Sequence, residues 1–309
     1  MTDDTIYSYS RLDTYEQCPF KFYLKYILNK SISFDNIALT IGTLIHETEE
    51  KIAKQIINGE TIDYIALKNN IIAKLYYCQQ RFNSTFYTQD KAGKTYTDKI
   101  YNYLKSGIYN LENFMLKNKE LQIVAIEKYF NISCCNKQIQ GYIDRAFYNK
   151  VTDRYIIQDI KTYAVPVDAQ KLTTPMQFVI YALAIKELFN CDLDQISCQY
   201  YLPFCNITQA AGTANYVERG IKHIDKLFNN IEAENFVPKP CPLCNYCEFS
   251  ATNPDSATQT KYLCPYFSLW NRETRNKADI KKVNCKWGGL NEYPALVEAY
   301  KKEITKEVN

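Results

Sequence analysis

The sequence predicts a mixed α/β fold, and three observations predict it. Residues 121–163 hold three strand-like runs, LQIVAIEKYFNISCC, QIQGYIDRAFY and RYIIQDIKTY, divided by turn residues. A strongly apolar helical stretch, TTPMQFVIYALAIKELF, follows them, and QISCQYYLPF then returns to a strand pattern. Antiparallel strands, then a helix, then a further strand is the order of a mixed sheet covered by helices.

The elements follow in chain order. SYSRLDTYEQCPFKFYLKYIL reads as a helix capped near Ser8 or Ser10, with Leu12, Tyr15, Phe22, Tyr26 and Ile27 as its apolar positions. Pro19 lies inside it and should kink it or mark a restart. A second helix should begin near Thr40 and carry IGTLIHETEEKIAKQII. Residues 62–118 read as mostly helical, with a polar break at TQDKAGKT. The three strands come next, then the apolar helix with Pro175 in its first turn, the strand of QISCQYYLPF, and a helix over 214–233. These divisions give N-terminal helices (1–47), a helical insertion (48–120), a core (121–235), a cysteine-rich segment (236–265) and a tail without a recognised motif (266–309).

Composition sets outer bounds. The 309 residues are 46% hydrophobic and 23% charged, ordinary for a folded domain with a sizeable core. A net charge of +3 gives no global nucleic-acid signature, although a local basic groove is compatible with it. There is no run of about 18 apolar residues, so no membrane span is expected. The polar, acidic N-terminus is unlike a secretory signal. A cytoplasmic location is therefore expected, a host cytoplasm if the chain is phage-encoded. There, twelve cysteines do not suggest a disulfide framework.

The chemistry sits on the strands. Asp144 lies on the second strand, and Asp159 and Lys161 on the third. Charges in a half-buried strand are costly unless paired or bound to a metal. If the two strands form a hairpin, the carboxylates converge at one sheet edge, a site suited to a hard divalent cation such as Mg²⁺. Lys161 falls on the same side as Asp159, where it can orient the attacking water and stabilise charge in phosphoryl transfer. The carbonyl of Ile160 is a further oxygen ligand in this reading. The same spacing also fits a surface salt bridge, because Asp-x-Lys is short and common.

The ordered set resembles the PD-(D/E)XK nuclease superfamily (restriction-endonuclease-like core), in its RecB-like branch, which includes Cas4 and AddB nuclease domains. "GTLIHETEE" is similar to the branch's Gly–His–Glu helix, with Gly42, His46 and Glu50. "GYIDR" resembles its Gly-x-x-Asp strand, "QDIKT" its Asp-x-Lys strand, and "QFVIY" its Gln-x-x-x-Tyr helix. "SYSRLDTYEQCPFKF" is similar to its N-terminal segment. The resemblance implies His46, Asp144 and Asp159 as ligands of Mg²⁺ or Mn²⁺, an imidazole favouring Mn²⁺. It implies that Lys161 positions water and that Gln177 and Tyr181, one turn apart, face the site and the DNA backbone. Glu127 reads equally as a supporting acid or a solvated edge residue. Glu50 reads equally as the partner that orients His46 or as a partner of Lys51 or Lys54.

"PKPCPLCNYCEF" places Cys241, Cys244 and Cys247 at two three-residue steps, with Cys264 after a polar insert. Repeated Cys-x-x-Cys is a strong metal signal, and its generic reading is a zinc site. The resemblance implies instead a structural [4Fe–4S] cluster on Cys18, Cys244, Cys247 and Cys264. Here Cys241 is extra, and the step from Cys247 to Cys264 is long. Cysteines 78, 134, 135, 191, 198, 205 and 285 read as packing residues.

The expectation is a metal-dependent DNA nuclease, an exonuclease on single strands or free ends, serving replication, recombination or repair with a helicase or recombination partner. A Cas4-like end-processing nuclease is the near alternative. A non-catalytic DNA-binding module is disfavoured because Asp159 and Lys161 are both present. A zinc-dependent interaction protein leaves the ordered acids unexplained.

Overall fold

The computed structural model describes residues 5–30, 37–81, 93–162, 166, 175–211, 216–239, 241, 244, 247–249 and 264. The tail 266–309, Cys285 and most of the polar break lie outside them. The chain divides into two compact units. One comprises residues 4–9 and 35–223, and the other comprises 10–34 and the chain from 224 onward.

The larger unit is built on a sheet whose described strands lie in the order β1–β2–β3–β4–β5. These are β1 (Leu121–Cys134), β2 (Lys137–Asn149), β3 (Arg154–Ile160), β4 (Ile196–Leu202) and β5 (Ile207–Ala211). β1, β2 and β3 run antiparallel, β3 and β4 are parallel, and β4 and β5 are antiparallel. The expected mixed sheet is thus observed. The link between β1 and β2 is two residues, Cys135 and Asn136, at φ 51° and 59°. Two positive φ values give the turn twist that matches paired strands. Tyr7 bridges Ile139 on β2, with Tyr7 N–H donating to the Gln138 carbonyl at 2.8 Å. β5 was not expected, because ITQAA is short and mostly exposed and carries no apolar alternation.

Helices cover both faces of the sheet. α3 (Ile37–Asn58) presents the stripe Ile41, Leu44, Ile45, Thr48, Glu49, Ile52 and Ala53, at the three- and four-residue steps of one helix face. With α4 (Tyr64–Arg81), α5 (Tyr96–Lys105) and α6 (Asn110–Lys117) it encloses a core that includes Ile71, Ile100, Tyr103, Leu111, Phe147, Ile160 and Tyr201. Each fully buried Ile or Phe contributes about 1.5–3 kcal/mol. Thr95 starts α5 with a capping box, accepting from Asp98 N–H while the Asp98 carboxylate accepts from Thr95 N–H.

The other face meets α7 (Met176–Phe189), with Phe178 against Tyr200 and Phe189 stacked on Tyr155. Pro175 is the residue that caps α7 rather than one in its first turn. Asn190, at φ 51°, ends it in the left-handed conformation. α8 (Val217–Glu232) begins against α7 at Gly220, where a Cβ would come within 2.3 Å of Val179.

The smaller unit contains most of α1 (Tyr9–Gln17), α2 (Pro19–Phe22) and a π-helical turn, Tyr23–Ile27. The helix expected over 8–28 is broken at Cys18, which is extended at φ −158° and caps α2 ahead of Pro19. That is the restart the proline predicts. Tyr15, Phe22 and Tyr23 pack on Phe236, and Tyr15 Oη donates to the Asn235 carbonyl at 2.7 Å.

Candidate metal centre

Strand pairing decides which side chains meet. Arg145 pairs with Gln158 at the end of the β2–β3 ladder, and Asp144 and Asp159 lie just beyond that pair. Alternation turns those two acids to one face and Arg145 and Gln158 to the other. On β1, Ile126 pairs with Arg145 and Lys128 with Ile143, which leaves Glu127 opposite Asp144. Glu127 has φ 40°, an uncommon conformation for a residue with a Cβ. Such strain gathers at functional sites.

α3 supplies the third group. His46 Nδ1 lies 3.7 Å from Glu127 Oε1 and 3.7 Å from Asp144 Oδ2. Among the described residues, His46, Glu127 and Asp144 each offer a donor atom within 4.8 Å of the others. Glu127 therefore stands within the donor set itself, closer than either sequence reading of it required. Asp159 is held separately. Lys161 Nζ is 2.9 Å from its Oδ2, and Gln177 Nε2 donates to its Oδ1 at 2.8 Å. The Ile160 N–H donates to Asp144 Oδ2 at 2.8 Å. The same Gln177 amide is 2.9 Å from Tyr181 Oη, so the Gln-x-x-x-Tyr pair of α7 does meet at the acids. Glu50 pairs outward with Lys54 at 2.6 Å, the second of its two sequence readings.

The electrostatics match a site built for a cation. Burial, reinforced by the charge of Asp159, raises the Asp144 carboxyl to about 7, against His46, the Ile160 N–H and Lys161. Burial also raises Asp159, against the opposing pull of Lys161. For His46, burial alone would lower the imidazole, but Glu127, Asp144 and Asp159 outweigh it and raise it. Burial, with Asp144 and Asp159 nearby, keeps Tyr181 a neutral phenol. Gln177 Oε1 is buried and accepts no hydrogen bond from the described residues. Crowded carboxylates, an imidazole and an open acceptor fit a hard divalent cation, and the nitrogen donor extends the fit to Mn²⁺.

The sequence reading missed a second set of polar residues. Glu49, Arg145 and Gln158 are buried at 1%, 1% and 3% exposure. The signal was available. Each occupies an inward position of its element, Glu49 on the α3 stripe, Arg145 between Ile143 and Phe147, Gln158 between Ile156 and Ile160.

In the smaller unit, Cys244 N–H donates to the Cys241 carbonyl at 2.9 Å and Cys247 N–H to the Cys244 carbonyl at 3.3 Å. Cys241 N–H reaches Cys244 Sγ at 3.3 Å, and Cys264 N–H donates to the Phe249 carbonyl at 3.0 Å. Cys244 is raised by its bond with Cys241, by burial and by Cys18. Cys247 is raised by burial and by Cys18, against its backbone bond and Lys21. Cys18 thus lies within electrostatic reach of two thiols more than two hundred residues away in sequence. Among the described residues, the groups of three or more donor atoms all within 4.8 Å of one another include none of these thiols.

A family model described as the PD-(D/E)XK nuclease superfamily matches residues 6–252. No curated protein matches the chain.

Proposed function

The chain belongs to the PD-(D/E)XK nuclease superfamily, and from that premise we propose that it is a metal-dependent exonuclease acting on DNA with a free end. The observation that carries the reading is the His46–Glu127–Asp144 donor set beside the Asp159–Lys161 pair. A divalent cation held there would supply Lewis-acid polarisation of the scissile phosphate and would acidify the attacking water. The chain's own residues do the rest. Lys161 orients the attacking water and offsets the negative charge that builds on the phosphoryl oxygens. Gln177 holds the Asp159 carboxylate. Asp159 and the Ile160 carbonyl complete the ligand set in this reading. Tyr181, a neutral donor, faces the phosphate backbone.

The preference for unpaired DNA has its own support. Tyr129 and Tyr142 form an exposed cross-strand pair, ring centroids 5.4 Å apart. They lie two residues from Glu127 and Asp144, about 7 Å along each strand. Exposed aromatic faces at that spacing suit stacking on unpaired bases.

In the smaller unit we propose a structural [4Fe–4S] cluster on Cys18, Cys244, Cys247 and Cys264, with zinc as the alternative the same thiols allow. Replication, recombination or repair, with a helicase as partner, is the process proposed. No described helix is long and apolar enough to cross a membrane.

The test is digestion of end-labelled DNA, single- and double-stranded, linear and closed circular, with Mg²⁺ or Mn²⁺. Metal-dependent loss of linear substrate with closed circles intact is expected. Efficient cutting of closed circles overturns the exonuclease reading, and metal-independent or absent cleavage overturns the function.

A further inference from the structure

We infer that the buried pair Glu49–Arg145, joined by Tyr103 and Gln158, is a positioning element that sets the spacing of the metal-binding groups. The inference rests on the metal-centre reading above and extends it to residues on the opposite face of the sheet.

Arg145 Nη1 donates to Glu49 Oε2 at 3.1 Å, and its Nε donates to Gln158 Oε1 at 2.9 Å. Its Nη2 donates to the same amide oxygen. Tyr103 Oη donates to Glu49 Oε1 at 2.8 Å. Both carboxylate oxygens and three guanidinium nitrogens are therefore engaged. The four residues span α3, α5, β2 and β3.

Their places in the chain are the point. Arg145 follows Asp144, Gln158 precedes Asp159, and Glu49 lies three residues after His46. Consecutive Cα atoms are fixed about 3.8 Å apart, so Arg145 cannot shift without carrying Asp144. The same holds for Gln158 and Asp159. Ile41 and Ile45 of α3 share one apolar core with Phe147 and Ile160 of the sheet. Apolar contacts resist separation but are non-directional and do not fix register. Directional bonds within a low-dielectric core do. The ligand groups need placement within about 0.5 Å. The network supplies it from behind the sheet, and Tyr103 extends the linkage to the helical insertion.

Breaking a buried pair and replacing it have opposite consequences for stability, because apolar residues of similar volume often substitute for such a pair without loss. That separates positioning from folding. Glu49→Met, Arg145→Met, Gln158→Leu and Tyr103→Phe combined is the first variant, and Tyr103→Phe alone is the second. Mn²⁺ affinity is read from the electron paramagnetic resonance of free Mn²⁺, with the thermal midpoint measured on the metal-free protein. The combined variant should keep the wild-type midpoint and lose at least about tenfold in Mn²⁺ affinity. Tyr103→Phe should lose roughly fivefold in Mn²⁺ affinity, and its midpoint should fall as well, because Glu49 Oε1 is left buried without its donor. Wild-type Mn²⁺ affinity in both variants, or a combined variant whose midpoint falls along with its affinity, overturns the inference. If the combined variant does not fold, Tyr103→Phe decides alone. A wild-type protein that binds no Mn²⁺ overturns the metal centre, and this inference with it.

Discussion

The donor set on the sheet and the thiols of the smaller unit are assembled in contrasting ways. His46, Glu127 and Asp144 come from one helix and two strands, and packing and pairing bring them together. Cys241, Cys244 and Cys247 are local, spaced by short backbone turns, and only Cys18 is distant. The first set is hard, oxygen with one nitrogen. The second is soft, sulfur throughout. Hard oxygen sites exchange Mg²⁺ or Mn²⁺ readily, while thiolates bind iron–sulfur clusters or zinc tightly. In the proposed reading, one region carries the reaction and the other holds structure.

The largest expected effect breaks the first region alone. Asp159→Ala and Lys161→Ala should each reduce cleavage by about a thousandfold or more, as loss of a group that stabilises transition-state charge does. DNA binding and bound iron should stay at wild-type levels. If either purified variant digests DNA like the wild type, the catalytic assignment fails. If either loses its iron, the two regions are not separable.

The contrast also explains what the sequence disclosed. The strands and their acids were readable because hydrophobic alternation, turn residues and the order of motifs agree over residues 121–163. Lys161 and Asp159 could be paired on paper because a strand has period two. Glu127 could not be placed, because its positive φ is a local departure from strand geometry that no pattern announces. Glu49 was passed over for Glu50, although the two differ by a single position. Glu50 fits the motif, but Glu49 lies on the buried stripe of α3 and Glu50 pairs with Lys54 outside it. Motif matching finds groups that touch substrate. Groups that act from behind are found by asking which charges fall on inward positions.

An intermediate effect tests hard against soft directly. Treatment with EDTA should abolish cleavage, and added Mn²⁺ should restore it, while the visible absorbance of a cluster persists throughout. Absorbance that fades in step with activity would place both functions on one metal and remove the distinction.

The smallest expected effect sharpens the second region, and it lies in one cysteine. Five thiols compete for four positions. A local site uses Cys241, Cys244, Cys247 and Cys264, and closes a short loop. A site that takes Cys18 in place of Cys241 closes one of more than two hundred residues, and a long crosslink constrains the unfolded chain more. One observation favours Cys18: it caps α2 in an extended conformation outside the helical ladder. Cys241 also shapes the turn around Cys244 through its carbonyl and its N–H, and its thiol is hydrogen-bonded to Cys244. Cys241→Ser, prepared without oxygen, should therefore keep its iron, its absorbance and a thermal midpoint within about 2 °C of wild type, a surface-scale perturbation. Cys18→Ser should lose the absorbance and at least about 5 °C. A colourless Cys241→Ser beside a brown, stable Cys18→Ser would return the site to the local segment. Zinc in the wild-type protein, by metal analysis, would replace the cluster while leaving the contrast between hard and soft intact.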